Sequence, residues 1–395
     1  MSDETRAPIP PIVKALGWVS FFTDAASEMI YPLLPALLRS FGAAAAWLGA
    51  MEGIAEGLSA IVKWRVGPTV DQSPRRKPLI LAGYGLATIV RPLIAFASAG
   101  WHVVVLRSLD RIGKGVRGVP RDALVAESVD AGSLATAFSF HRMMDNAGSV
   151  LGPILAFALM RGLELPVRTV IGLAIVPGLV AVATLVFGVR EPPREVLPAP
   201  KKKEETTRAK LPAPILRYLV VLAVFTLGSS ADSFLLLRVV DLGLDAAWVP
   251  LVWLALSGAK SLSNMPGGWI GDRFGRKRTL VIAWAFYAIV YAAAPHVASP
   301  IAFAALVVVY GAYYGLSEGS ERAILAERAP PELRGRAFGA MHAVTGLAVL
   351  PANLIFGALY TQSASLAFGF GAACAGLATI LLAVLVRPID AHQSA

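Results

Sequence analysis

The sequence predicts an all-α membrane protein of twelve transmembrane helices in two pseudo-symmetric six-helix bundles. Three observations carry that prediction. Of the 395 residues, 56% are hydrophobic and only 16% charged, more apolar than a soluble core requires. Apolar runs of about twenty residues, the length that crosses a bilayer as a helix, recur along the whole chain. Two stretches of the first half also return in the second: VGPTVDQSPRRK (66–77) lines up with GGWIGDRFGRKR (267–278), setting Asp71 over Asp272, and PRDALVAE (120–127) lines up with SERAILAE (320–327). The two offsets are 201 and 200 positions, as an internal duplication would leave them.

Taken in order, the spans begin near Gly17, Ala46, Pro78, Trp101, Ala137 and Thr169, then near Tyr218, Pro250, Thr279, Ile301, Ala337 and Leu366. Between the sixes lies EPPREVLPAPKKKEETTRAKLPAP (191–214), polar and proline-rich. It reads as a linker joining an N-terminal bundle (1–190) to a C-terminal one (215–395). The even-numbered connections hold the cations: Arg75-Arg76-Lys77, Arg117 and Arg121, Lys201-Lys202-Lys203, Arg273 with Arg276-Lys277-Arg278, and Arg328, Arg334 and Arg336. The odd-numbered ones are nearly free of them, Arg161 and Arg168 excepted. The positive-inside rule then places both termini in the cytoplasm and the chain in the cytoplasmic (inner) membrane. The same rule accounts for the net charge of +10 without a nucleic-acid partner. The start, MSDETRAPIPP, lacks the basic and apolar regions of a removable signal peptide. Cys374 is the one cysteine, which excludes an intramolecular disulfide and a cysteine metal cluster.

The repeated loop carries a resemblance. Gly268, Asp272, Arg273, Gly275, Arg276 and Lys277 resemble the signature between the second and third spans of each half in the major facilitator superfamily. The first half keeps Gly67, Asp71, Arg75 and Arg76, with Gln72 and Pro74 departing from the pattern. Leu109-x-Arg111-x-x-Lys114-Gly115 resembles that superfamily's fourth-span motif, with Lys114 where glutamine is more usual, and Gly148-x-x-x-Gly152-Pro153 resembles its antiporter motif. The resemblance implies two bundles that rock about a central cavity open to one side at a time, and it favours drug and proton antiport. It also implies a conformational gate at Gly67, Asp71, Arg75, Arg111, Gly268, Asp272, Arg273 and Arg276, to which the repeat adds Asp122, Glu321 and Arg322. In the repeat, Arg121-Asp122 aligns with Glu321-Arg322, the same pair with its charges exchanged. Such ends would suit a latch.

Charges inside a span are costly and are functional candidates by default. Asp24 and Glu28 are four apart and share a helix face, as do Glu52 and Glu56. Asp232, Lys260 and Glu318 lie in the second half, and Arg91 and Arg107 are cations suited to face the acids of the first. Proton coupling asks for a carboxylate that desolvation lets load and unload near neutral pH, and Asp24, Glu28 and Glu52 fit best. The competing reading of each acid is a fixed ion pair that locks helices together. Gly148, Gly152 and Pro153 permit close helix approach and a bend. Tyr31, Phe234, Trp253, Tyr313 and Tyr314 are candidates for an amphipathic pocket, against the commoner reading of aromatics facing lipid or neighbours.

The residues admit two function classes, a transporter and a nucleotide-binding membrane protein. A monomeric secondary transporter is expected, exchanging protons for an amphipathic or cationic small molecule, with no cofactor. An exporter of a divalent metal, siderophore or metabolite, or a proton-coupled importer, uses the same fold. His141, Asp145 and His342 are the residues a metal reading would enlist. A nucleotide-binding membrane enzyme rests on Gly113-x-Gly115-x-x-Gly118, but that spacing signals a dinucleotide only in a βαβ unit, and no Walker-type motif is present.

Overall fold

The computed structural model describes residues 9–72, 75–129, 134–191, 211–330 and 333–386. Residues 192–210 of the linker, with Lys201-Lys202-Lys203, lie outside the described residues, as do the side chains of Gly67, Asp71 and Arg334.

Among the described residues the chain is helical, with no strand. The helices are α1 (Pro11–Ile30), α2 (Leu34–Arg39), α3 (Ala44–Gln72), α4 (Lys77–Leu93), α5 (Gly100–Glu127), α6 (Leu134–Gly162), α7 (Val167–Leu173), α8 (Ile175–Gly188), α9 (Ala213–Gly228), α10 (Asp232–Asp241), α11 (Val249–Phe274), α12 (Arg276–Ala293), α13 (Pro300–Tyr310), α14 (Ala312–Arg328), α15 (Arg334–Gln362) and α16 (Ala364–Leu385). Each of the twelve expected spans falls on one of these helices or on a pair of them in sequence. The pairs arise where local chemistry interrupts a span. Pro32 has no N–H to continue the ladder, so α1 passes through a short 3-10 turn, Tyr31–Leu33, before α2. The chain then turns at Gly42, whose φ of +75° an L side chain adopts only with strain. Gly275 does the same between α11 and α12 with φ +92°, which is the physical need behind the glycine of GDRFGRKR.

One expectation is corrected. Arg117 and Arg121 are expected in the connection beyond the fourth span, whereas α5 runs unbroken from Gly100 to Glu127 through Pro120 and carries both. Its Arg and Asp residues recur at i+3 and i+4 and pair within the helical bundle, so polarity here does not mean loop.

Eight helical stretches among the described residues are long and apolar enough to cross a membrane. Among the described residues, the stretches containing α1, α5 and α11 fall short of that composition. They are also stretches that hold Asp24, Asp110 and Lys260.

By contacts the chain divides into two compact units, one formed by Met1–Gly42, Ile54–Pro200 and Ala246–Leu251, the other by Ala43–Gly53, Lys201–Asp245 and Val252–Ala395. Each uses the same pairings. In the first, α1 packs on α6 and α8, and α4 on α5 and α8; in the second, α9 packs on α15 and α16, and α12 on α14 and α16. The first unit has an apolar core around Val13, Leu16, Tyr84, Val125 and Leu185, all almost fully buried.

Candidate functional site

The intramembrane charges separate by accessibility. On α4 and α5, Asp110 accepts from Arg91 Nε at 2.8 Å and from Arg107 at 3.0 Å, and Arg91 also donates to the Thr23 carbonyl at 2.9 Å. The three side chains are 4%, 2% and 1% exposed for Arg91, Arg107 and Asp110. Arg107 additionally lies over the Tyr31 ring at 5.4 Å. Two guanidiniums on one carboxylate, sealed from water, form a fixed joint between helices. No local signal in the sequence marks Asp110, which stands beside a motif arginine. Arg111 turns instead to Glu56 on α3, at 3.3 Å.

The face of α1 carrying Asp24 and Glu28 is held by a backbone contact with α6. A Cβ built on Gly148 would lie 2.2 Å from the Phe21 carbonyl oxygen, and one on Gly152 would lie 2.5 Å from that of Ala25 and 2.7 Å from the Met29 nitrogen. Only glycine fits there, and Pro153 follows one residue later in the same helix. The antiporter-like motif therefore sets the position of the two acids. Asp24 is half-buried and makes no ion pair among the described residues. Glu52 is buried on α3 and Glu56 is exposed. Gly113 and Gly115 fill the same role on α5, against the Gly83 carbonyl at 2.8 Å and against Val62 at 2.8 Å, whereas Gly118 has no neighbour within 4 Å.

Beside this contact, His141 is hydrogen-bonded to Ser20 at 3.0 Å and faces Asp145 at 3.5 Å. Ser20 also meets Tyr84 at 3.3 Å and Arg121 at 3.3 Å. Both His141 and Ser20 are buried, and these bonds account for the histidine as a packing group.

The second unit is built differently. Asp232, at the start of α10, is ion-paired with Lys260 of α11 and accepts from the Tyr314 hydroxyl at 3.0 Å. The Lys260 ammonium lies 3.9 Å from the Tyr314 ring centroid and 5.5 Å from that of Trp253. Tyr313 packs among Phe225, Tyr287 and Tyr310. Phe234 is fully buried against Phe356 and Tyr360, so it belongs to the core of its unit and is not available to line a pocket. Glu318 is exposed.

Of the residues expected at a gate, Arg276 bridges Glu327 at 2.6 Å and Asp272 at 3.3 Å. Its counterpart in the first unit is Arg76, which meets Glu127 at 2.6 Å. The two pairs are related by 200 positions, so the repeat shortens by one residue between Asp71 and Arg76. Glu191 accepts from the backbone N–H of Arg76 and Lys77 at 2.8 to 2.9 Å, capping α4. Arg75 lies just before α4 and Gly268 within α11, where an added Cβ would meet nothing within 4 Å, and Arg273 lies over Trp269 at 5.1 Å. Asp122 pairs with its neighbour Arg121 at 2.7 Å. Glu321 accepts from Trp284 at 3.2 Å, and Arg322 is exposed.

Comparison with known proteins places this arrangement. The family model described as Major Facilitator Superfamily matches residues 16–259 and 235–395. An uncharacterized MFS-type transporter of Methanocaldococcus jannaschii is 30% identical over 390 residues, covering 96% of each chain. The multidrug resistance protein MdtG of Escherichia coli is 25% identical over 340 residues, 82% of this chain and 81% of its own. Among solved structures, the nucleoside transporter NupG superposes with a TM-score of 0.76 at 14% identity, covering 95% of this chain and 98% of that one, a likeness of fold alone.

Proposed function

The chain belongs to the major facilitator superfamily and is a multi-pass membrane transporter, not an enzyme; from that premise we propose that it is a proton-coupled efflux antiporter for an amphipathic or cationic small molecule. It works by alternating access in the cytoplasmic membrane, with both termini in the cytoplasm and the halves 1–190 and 215–395 moving about the linker 191–214. The observation that carries the reading is Asp24. It is a carboxylate within a span, half-buried, without an ion pair among the described residues, on a helix held by glycines against a partner backbone. A carboxylate in that setting is stable when protonated or when a mobile cation stands beside it. Those two occupants exclude one another, which is the chemical requirement for exchange. Glu28 stands one turn along the same helix. The 25% identity to a multidrug resistance protein agrees in direction.

The test is flux in proteoliposomes under an imposed pH gradient, with a panel of amphipathic cations, sugars and nucleosides. Gradient-driven movement of a cation against its concentration, lost in Asp24→Asn, is the expected result. Movement of a neutral solute with the proton, untouched by Asp24→Asn, Glu28→Gln and Glu52→Gln, would replace antiport with import.

A further inference from the structure

The second unit contains a site of another kind. Around the Lys260 ammonium stand the carboxylate of Asp232, the face of Tyr314 at 3.9 Å and the ring of Trp253 at 5.5 Å. Tyr314 itself donates to the other oxygen of Asp232 at 3.0 Å and is met by the Tyr310 hydroxyl at 3.4 Å. A carboxylate with two aromatic faces is the chemistry that recognises an organic cation. Here a residue of the chain occupies it. The pair also differs from the Arg91–Asp110–Arg107 joint in access: Lys260 is 20% and Asp232 11% exposed, against 4% or less for each member of the joint.

We propose that Lys260 is a tethered stand-in for the transported cation, and that the substrate's cationic group enters by displacing it from Asp232, Tyr314 and Trp253. This rests on the exchange reading above and names one of its sites. The displaced ammonium, within a span and without its counter-ion, is costly to keep charged. Its Nζ–H bond breaks, the electron pair stays on nitrogen and the proton passes to water. Asp232 stays ionised throughout, opposite first one cation and then the other. One cation in and one proton out leaves the net charge of the site unchanged, so lysine, not a carboxylate, carries the proton here. The titratable groups facing Lys260 are Asp232 on α10 and Tyr314 on α14. Behind them stand Tyr310 on α13 and Tyr291 on α12, the latter bonded to Ser230 at 2.7 Å. None of these is a second cation able to hold Asp232 in place of Lys260.

The experiment is calorimetric titration of the full-length, detergent-purified protein with tetraphenylphosphonium, an amphipathic cation with no proton of its own, in two buffers of different protonation enthalpy. Wild type is expected to release one proton per cation bound. Lys260→Met should bind on the order of tenfold more tightly and release none, and Asp232→Asn should lose binding. Lys260→Arg, whose guanidinium does not discharge, keeps the charge and serves if Lys260→Met does not fold. Its binding should weaken without proton release. Binding by wild type without proton release, proton release retained in Lys260→Met or Lys260→Arg, or no binding by either wild type or Lys260→Met overturns the proposal. Each titration is repeated in the Asp24→Asn background, so that the proton counted is not that of the α1 carboxylate. Failure of the titration with gradient-driven flux intact removes the lysine and spares the antiport reading. Failure of flux with the titration intact does the reverse.

Discussion

At positions 200 apart, the two units fill the same packing sites with opposite chemistry. Arg91, Asp110 and Lys114 of the first unit stand where Tyr291, Tyr310 and Tyr314 stand in the second, and Ala87 and Gly113 stand where Tyr287 and Tyr313 do. One unit is joined by a sealed ionic triad. The other is joined by stacked tyrosines, with Tyr287 and Tyr291 at 4.1 Å and Tyr310 and Tyr313 at 5.8 Å between ring centroids. The arginine–glutamate pairs did not diverge, Arg76–Glu127 and Arg276–Glu327 both being 2.6 Å. The repeat therefore keeps its ends and rebuilds its middle. A sealed triad is rigid and intolerant of any missing partner, whereas hydroxyls and rings tolerate rearrangement around a charge that must move. That difference puts the exchangeable ion pair, Asp232–Lys260, in the tyrosine unit.

The comparison is broken most severely by Asp110→Asn. Two buried guanidiniums lose their shared anion, at a cost of roughly 3–5 kcal/mol, and thermal unfolding in detergent should fall sharply. Recovery toward wild type in Asp110→Asn combined with Arg91→Met would confirm that the uncompensated charge is the cause. Next comes Gly148→Ala. Its methyl meets the Phe21 carbonyl, and overpacking of this kind costs about 1–3 kcal/mol. Flux should fall with it, because α1 shifts together with Asp24 and Glu28. On the tyrosine side, Tyr291→Phe removes the bond to Ser230 and should cost only about 0.5–1.5 kcal/mol in the same unfolding measurement. The smallest effect is expected at Glu327→Gln, where partners 35% and 41% exposed contribute about 0.2–1 kcal/mol. A stability loss there as large as that of Asp110→Asn would dissolve the distinction between sealed and accessible charge.

Much of the fold was legible in the sequence, because bilayer length and apolar periodicity are local properties and a duplication leaves its offset in the text. The loop glycine Gly275 was legible for the same reason: a left-handed turn demands it. The continuity of α5 was not. Its cations read as cytoplasmic loop, since no local signal shows that Asp110 neutralises Arg91 and Arg107 from two helices at once. Partnership is a tertiary fact, and it decides whether an intramembrane charge is structural or exchangeable. Arg91 and Arg107 therefore looked equivalent to Lys260 until exposure and neighbours were known. Phe234 fails as a pocket residue on the same grounds, while Trp253 and Tyr314 gain a role from the ammonium between them.

The central claim, that a carboxylate on α1 couples cation to proton, is tested most directly by comparing two fluxes in the same proteoliposomes. One is accumulation of an amphipathic cation driven by a pH gradient, and the other is its exchange at equal pH and equal concentration on both sides. For Asp24→Asn the account predicts that gradient-driven accumulation is lost while equilibrium exchange persists. Accumulation that continues in Asp24→Asn at the wild-type rate, still answering to the gradient, would contradict it.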